Sequence, residues 1–340
     1  MTIQTLLPKD TAVKLSMTKL TLFLELDGVT ELVINRPNEL FIERNGTWER
    51  HILEFSFDDA MSLAKAVAAY TNNDVSRLQP NLSATLSTGE RIQCVLPPAC
   101  TQDTIAIAIR VPSATRFTLE DYQKQGFFDH VIDTTDGLRP QDRELKALLL
   151  DKNYAQFMKK AVEFRKTIVV AGGTASGKTT FMKALIDLIA QHERIITIED
   201  VHELELLAQN NFTHLFYPSE AGIDNAITPA SQLRNCLRLN PDRILLAELR
   251  GSETFDFINV AGSGHDGSIT SIHANSPTQA FDRMALMILQ NPRATTLPYE
   301  VILRLLHQTV DIVVHVENDT HSSMSLGRHI TGIYFNPEHK

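Results

Sequence analysis

Residues 169–185 read VVAGGTASGKTTFMKAL, an apolar run that ends in two glycines and passes through a third glycine straight into an amphipathic segment. A buried strand that turns directly into a helix allows few architectures. The strand must sit inside a sheet covered on both faces, and the helix must return across one of those faces. Gly172, four intervening residues, then Gly177, Lys178 and Thr179 fit GxxxxGK[ST] at every fixed position. Gly172, Gly173 and Gly177 let the backbone curl so that successive N–H groups point at one spot, to which the helix N-terminus adds its dipole. The loop Gly172-Gly173-Thr174-Ala175-Ser176-Gly177 is therefore expected to hold the phosphates of a nucleotide, with Thr180 a further contact. Lys178 is expected to reach the β- and γ-phosphates, and the hydroxyl of Thr179 to ligand Mg²⁺.

Three more short apolar runs share this grammar. RIITIED, RILLAEL and SITSIHA alternate with helical segments, the pattern of a parallel sheet with crossover helices. Met182, Leu185, Ile186 and Ile189 fall on one face of the helix after the glycine loop. Ser276 and Pro277 read as N-cap and first-turn proline of another helix, with Ala280, Phe281, Met284 and Met287 facing inward. Ligands in such sheets lie at the carboxyl ends of the strands, and hydrolysis needs an acid there. Glu199, Asp200 and Glu203 follow one strand, and Glu248 ends another. His273 closes a fourth strand, where an imidazole can bond to a γ-phosphate, with His265 just upstream. Arg234 and Arg238, four apart on one face of an expected helix, and Arg243 after it are candidates for arginines supplied across a subunit boundary, since a guanidinium stabilises charge on a transferring phosphoryl group.

The first part of the chain differs. From about Leu20 to Val111 the period is mostly two, and Asn45-Gly46 between alternating segments is a hairpin signal. One helix interrupts, with Ser56 as N-cap and Asp59 three residues on. A small α+β domain is expected over residues 1–112, a turn-rich linker over 113–145 with a helix in TLEDYQKQGFF, and a nucleotide-binding domain over 146–340. The 340 residues carry a net charge of −9, which makes direct nucleic-acid binding a poor fit. The three cysteines form no CxxC pair and no disulfide framework, and no apolar run reaches membrane-spanning length, so a cytoplasmic location is expected.

In this order, GGTASGKTT, TIEDVHEL, LRLNPDRILLAELRG and GSGHDGSITSIHANSP resemble the Walker A, Asp box, Walker B and His box of the secretion NTPase superfamily that serves type II and type IV secretion and type IV pili. IAIRVPS followed by FTLEDYQKQGFF looks like the domain end and linker of its type IV branch, the hexameric traffic ATPases of conjugation and effector export. The resemblance implies a RecA-like P-loop core with a smaller PAS-like N-terminal domain, assembled as a homohexamer that works with inner-membrane components and other ATPases of the apparatus, peripheral at the inner membrane. It implies ATP and Mg²⁺ as cofactors. Lys178, Glu203, Glu248 and His273 are then the catalytic set, Thr179 and Glu248 hold the metal, and Arg110 reaches the nucleotide from the N-terminal domain. Two departures stand out: no aspartate precedes Glu248, and Val201-His202 separates Asp200 from Glu203. The absence of a tetracysteine module sets the type II branch aside, and no zinc is expected. A pilus-retraction ATPase is the nearer alternative, and a small-molecule kinase or a non-hydrolysing nucleotide module the more distant ones.

Overall fold

The computed structural model describes residues 8–112, 116–129, 131, 137–220, 226–319 and 326–339. The chain opens with helix α1 (Thr11–Leu24), whose Val13, Met17 and Leu20 are buried at helical spacing. Strands β1 (Val29–Arg36), β2 (Glu39–Arg44) and β3 (Thr47–Ile52) follow, then helix α2 (Phe57–Tyr70), then β4 (Asn81–Thr85), β5 (Arg91–Val95) and β6 (Ala106–Arg110). They form an antiparallel sheet in the order β3-β2-β1-β6-β5-β4. Asn45 and Gly46 make the expected β2–β3 turn, both with positive φ, the requirement of a tight hairpin whose twist matches its strands. Ser56 and Asp59 form the expected reciprocal cap of α2.

Both faces of this sheet are covered, and period two sorts its side chains between them. Leu32, Ile34, Ile107 and Ile109 join α1 and α2 in one core, while Val33, Phe41, Ala106 and Ala108 turn to the second half of the chain. On β6 isoleucines thus face the helices and alanines face the neighbouring half, where the approach is close.

Helix α3 (Leu119–Lys124) lies within the expected linker, capped by Thr118 and Asp121. Residues 113–115, 130 and 132–136 of that linker lie outside the described residues. Helix α4 (Pro140–Leu150) runs straight across the expected boundary at 145. Its Leu145 packs in one core with Phe157 and Val162 of helix α5 (Tyr154–Glu163), and Asp142 takes a 2.5 Å bond from buried Lys166. Pro140 is a helix start here, not linker, because a proline at the first helical position gives up no bond.

Beyond it come β7 (Ile168–Gly172), α6 (Lys178–Ile186), β8 (Ile195–Glu199), β9 (Phe212–Phe216), α7 (Pro229–Leu239), β10 (Arg243–Leu249), α8 (Glu253–Ala261), β11 (Ile269–Ile272), α9 (Pro277–Ile288), α10 (Tyr299–Thr309), β12 (Ile312–Asp319) and β13 (Gly327–Phe335). The sheet order is β13-β12-β7-β11-β10-β8-β9. The four motif-bearing strands β7, β11, β10 and β8 are adjacent and parallel, so their carboxyl ends lie side by side. Only β13 runs antiparallel, at one edge.

The two halves meet around Arg194, which is 0% exposed. Its Nε donates to the carbonyl of Leu239 and its Nη1 to the side-chain oxygens of Asn35 and Asn211, with the guanidinium 5.7 Å from the Trp48 ring centre. Asn35 also accepts from Thr213, and Gln232 donates to the carbonyls of Ala99 and Phe216. A buried cation that holds both halves through fixed bonds leaves several polar groups unsatisfied when removed. Arg194→Ala is expected to cost about 3 kcal/mol of stability, read from urea unfolding followed by tryptophan fluorescence of Trp48. A loss under about 1 kcal/mol, the size of a surface substitution, would show that the junction does not depend on it.

Candidate nucleotide-binding and catalytic site

The loop between β7 and α6 takes the shape that a phosphate cradle requires. Ala175 and Gly177 have φ of 59° and 98°, and Gly177 is the N-cap of α6. A Cβ on Gly172 would fall 2.4 Å from the carbonyl of Val316 and 2.6 Å from the hydroxyl of Ser176, so only glycine fits there. Nothing lies within 4 Å of where a Cβ of Gly173 would stand, and the buried Ser176 hydroxyl has no hydrogen-bond partner. Open space on one side of the loop, an orphaned hydroxyl within it and a helix N-terminus behind it suit a bound phosphate. Thr179 is half-buried and Thr180 exposed on the first turn of the helix.

Lys178 folds back across this loop. Its ammonium lies 3.2 and 2.9 Å from the carbonyls of Gly172 and Gly173 and 3.4 Å from Nδ1 of His273. Burial lowers its pKa, and the charge of Glu248 opposes that shift. An ammonium only donates, so Nδ1 of His273 accepts; Nε2 then carries the proton, which it shares with Glu248 Oε1 at 2.9 Å. The other oxygen of Glu248 accepts from Arg250 Nε at 2.7 Å, and Arg250 reaches on to Asp200 through a short bond. Lysine, imidazole, carboxylate, guanidinium and carboxylate thus form one chain that joins the ends of β7, β11, β10 and β8. Thr174, His273, Asn275, Gln279, Asp282 and Arg283 line a cleft of roughly 490 Å³ beside it.

The acids after β8 divide their work. Glu199 is 0% exposed and structural: its Oε2 accepts from the backbone N–H groups of Glu203 and Leu204, both at 2.8 Å, and its Oε1 from Thr197. Burial pushes its carboxyl up, but bonds from His214 and these groups outweigh it and hold the pKa below the usual value. Glu203 keeps its backbone on Glu199 while the residue itself is exposed. Asp200 follows the same balance. Burial raises its pKa, and Arg250 with Ser219 lowers it further than burial lifts it.

The arginine candidates fare differently. Arg234 and Arg238 are exposed on α7, as their spacing indicates, and Arg238 donates to Ser83 at 2.8 Å. Arg243 is not a candidate for a neighbouring subunit: it is 1% exposed and bonds Glu193 with two nitrogens at 2.7 and 2.8 Å. A charged first residue of a strand reads as surface, but here a carboxylate fifty positions earlier buries it. Arg110 does not join the Lys178 cluster of its own chain. Its guanidinium lies 3.8 Å from Glu31. Together with Arg91 and Arg238 it lines a separate cavity of roughly 440 Å³ between the N-terminal sheet and α7. Burial raises the Glu31 carboxyl to about 7, against Arg110 and Arg194. His265 bonds the carbonyl of Pro241 at 3.1 Å, ahead of β10 and β11 and thus at the opposite end of the strands. Arg250 was not singled out from sequence; its place two residues after Glu248, on the same side of an extended segment, was the available signal.

Arg250 sets the Asp200 charge, so Arg250→Gln is expected to raise the Asp200 pKa toward the ordinary value of about 3.9, followed by carboxyl ¹³C titration. The stability from this lowered pKa is complete above the unfolded value and fades as pH falls through the folded one. The stability gap between wild type and variant therefore narrows in acid. An unmoved Asp200 midpoint would remove Arg250 as its cause.

The model of the family described as type II/IV secretion system protein matches residues 138–322. The chain is 52% identical over 315 residues to the type IV secretion system protein VirB11 of Brucella abortus, covering 92% of this chain and 86% of the relative. It is 39% identical to the type IV secretion system protein PtlH of Bordetella pertussis, covering 87% of each. The crystal structure of the VirB11 ATPase from the Brucella suis type IV secretion system, in complex with sulphate, superposes with a TM-score of 0.92 at 49% identity, covering 96% of this chain and 98% of that one. The chain belongs to the type II/IV secretion system protein family, among the VirB11-type ATPases of type IV secretion.

Proposed function

We propose that this chain is the ATP-hydrolysing motor of a bacterial type IV secretion or conjugation apparatus, working as a homohexameric ring that converts nucleotide binding and hydrolysis into movement of its N-terminal half. The observation that carries this reading is the Lys178–His273–Glu248 chain at the strand ends beside an open glycine loop. The ammonium rests on carbonyls that phosphate oxygens would replace, since a charged donor prefers an anionic acceptor. Its departure would remove the donor from His273 Nδ1 and so alter the group that bonds Glu248. The imidazole would thereby respond to the terminal phosphate. Thr179 and Glu248 would hold Mg²⁺, which when bound neutralises charge on the phosphates. Glu248 or Glu203 would orient the attacking water. The sulphate in the Brucella suis relative is a tetrahedral anion of the phosphate kind.

Arg110 fits the same reading as a residue that serves an adjacent chain. In its own chain it sits with Arg91 and Arg238 in a basic cavity apart from Lys178, the place from which a ring neighbour's nucleotide would be met. Exposed Arg234 and Arg238 are the remaining candidates for that boundary. Partners are then the inner-membrane components and other ATPases of the apparatus. Among the described residues no helix is long and apolar enough to cross a membrane, which fits a cytoplasmic ring held peripherally through partners.

Lys178→Ala is expected to lower ATP turnover by about a hundredfold or more, as for loss of a preorganised electrostatic group, with an unchanged circular-dichroism melt. Turnover within a few-fold of wild type would sink the site. Native mass spectrometry with Mg²⁺ and a non-hydrolysable ATP analogue is expected to show a six-subunit species. A chain that stays monomeric under those conditions would overturn the ring.

A further inference from the structure

We propose that Glu199, His202 and His214 form a site for a divalent cation of the Zn²⁺ class, separate from the phosphate loop and from its Mg²⁺. Strand β9 is the edge of the sheet, and its alternation puts Phe212, His214 and Phe216 on one face while Leu215 packs in the core on the other. His214 is paired with Thr197 of β8, so Glu199, two residues on, shares its face. The chain then leaves β8 and folds back. This brings the His202 ring to 4.6 Å from the His214 ring and 5.7 Å from Phe216. Among the described residues these are the only three His, Cys, Asp or Glu side chains whose donor atoms converge in this way, one atom from each lying within 4.8 Å of the others.

The surroundings prepare two of the three donors. The Thr197 hydroxyl lies 2.8 Å from Glu199 Oε1 and 2.7 Å from His214 Nδ1. It has one proton, and a buried carboxylate takes it. His214 Nδ1, which also stands 3.6 Å from Glu199 Oε1, is the ring nitrogen that faces the carboxylate; a cation between them would displace the Nδ1 proton and leave His214 as its Nε2–H tautomer. Glu199 is fixed in turn by the N–H groups of Glu203 and Leu204. His202 is the exposed, adjustable member. In a tetrahedral site with bonds of about 2.1 Å, donors stand roughly 3.4 Å apart, a distance that a small movement of His202 supplies. The solvent side leaves a fourth position for water.

The donor set decides the cation. Two imidazoles and one carboxylate suit Zn²⁺ and Co²⁺, whereas Mg²⁺ prefers oxygen ligands and keeps its water. The cysteine count bears on a tetracysteine module and is silent about this set. A cation there would tie the loop carrying Asp200 and Glu203 to the edge strand, which makes the metal a regulator of the loop beside the catalytic acids. The site stands whether or not the motor reading does, because no donor belongs to the phosphate loop.

The test uses the full-length, chelator-stripped protein with Co²⁺ as a visible probe, without nucleotide. The expected result is one equivalent of Co²⁺ per chain with ligand-field absorption that Zn²⁺ removes and millimolar Mg²⁺ does not. His202→Ala, exposed and harmless to the fold by its melt, is expected to weaken binding by at least about a hundredfold, more than loss of an outer-shell partner. Exposed His192→Ala is expected to bind as wild type does. In wild type, but not in His202→Ala, Zn²⁺ is expected to slow amide exchange across residues 200–206. Absence of stoichiometric Co²⁺ binding, binding unaltered in His202→Ala, or equal losses in His202→Ala and His192→Ala would overturn the site and leave a hydrogen-bonded histidine pair.

Discussion

A buried ammonium must be satisfied by something, and the catalytic end of this sheet is organised around that requirement. Lys178 takes two backbone carbonyls and one imidazole nitrogen, and the imidazole passes the demand to Glu248. Glu248 balances Arg250, and Arg250 balances Asp200. The neutral imidazole separates the ammonium from the first carboxylate, opposite charges meet at Arg250, and three of the four links join different strands, the Glu248–Arg250 pair alone lying two residues apart at the end of β10. Partial burial strengthens each link relative to water, and it also raises the cost of leaving any one link unpaired. The four strand-end motifs are therefore one electrostatic object, and a change at Lys178 is felt two strands away without any movement of the sheet.

That object depends on parallel register. β7, β11, β10 and β8 are neighbours in the sheet though not in sequence, and only this order sets the glycine loop beside His273, His273 beside Glu248, and Glu248 beside the loop after Glu199. The N-terminal half leans on the other end of the arrangement. Its second sheet face packs against the core around α7, and Arg194 bonds Asn35 in one half while reaching Leu239 and Asn211 in the other. The basic cavity with Arg110 opens at the same junction. Movement of either half would reshape that cavity before it disturbed the phosphate loop.

What could be read from the chain follows from which interactions are local. The glycine loop, the Asn45-Gly46 hairpin and the caps at Ser56 and Ser276 are fixed by residues a few positions apart, and each stands where spacing puts it. Helix α1 escaped notice because its threonines break up the amphipathic pattern, although Val13, Met17 and Leu20 keep helical spacing. The start of α4 escaped because Pro140 lies in a turn-like stretch, and its membership in the second half rests on Lys166, far along the chain. Arg243 was misjudged for a related reason: a guanidinium is tolerable in a core only beside a carboxylate, and Glu193 is invisible at that distance in sequence. Arg110 was placed by resemblance, and a single chain holds it away from Lys178.

The two acids flanking the site differ in what fixes them. Both oxygens of Glu248 are engaged, so its position follows the charges around it and responds when they change. Glu203 is fixed through its backbone, because its N–H is bound to Glu199, while its carboxylate stands in solvent. Moving Glu203 therefore requires moving the loop, whose two ends are held independently, by Arg250 at Asp200 and by Glu199 at residues 203 and 204. The first hold is an ion pair whose carboxylate is mostly buried but whose guanidinium is half exposed, so water and salt weaken it in part. The second is a set of buried bonds to a carboxylate, stronger and little screened. The loop is thus hinged at its Glu199 side and released at its Asp200 side, so the nucleotide end of the sheet reaches Glu203 through Arg250 rather than through the strand that carries it.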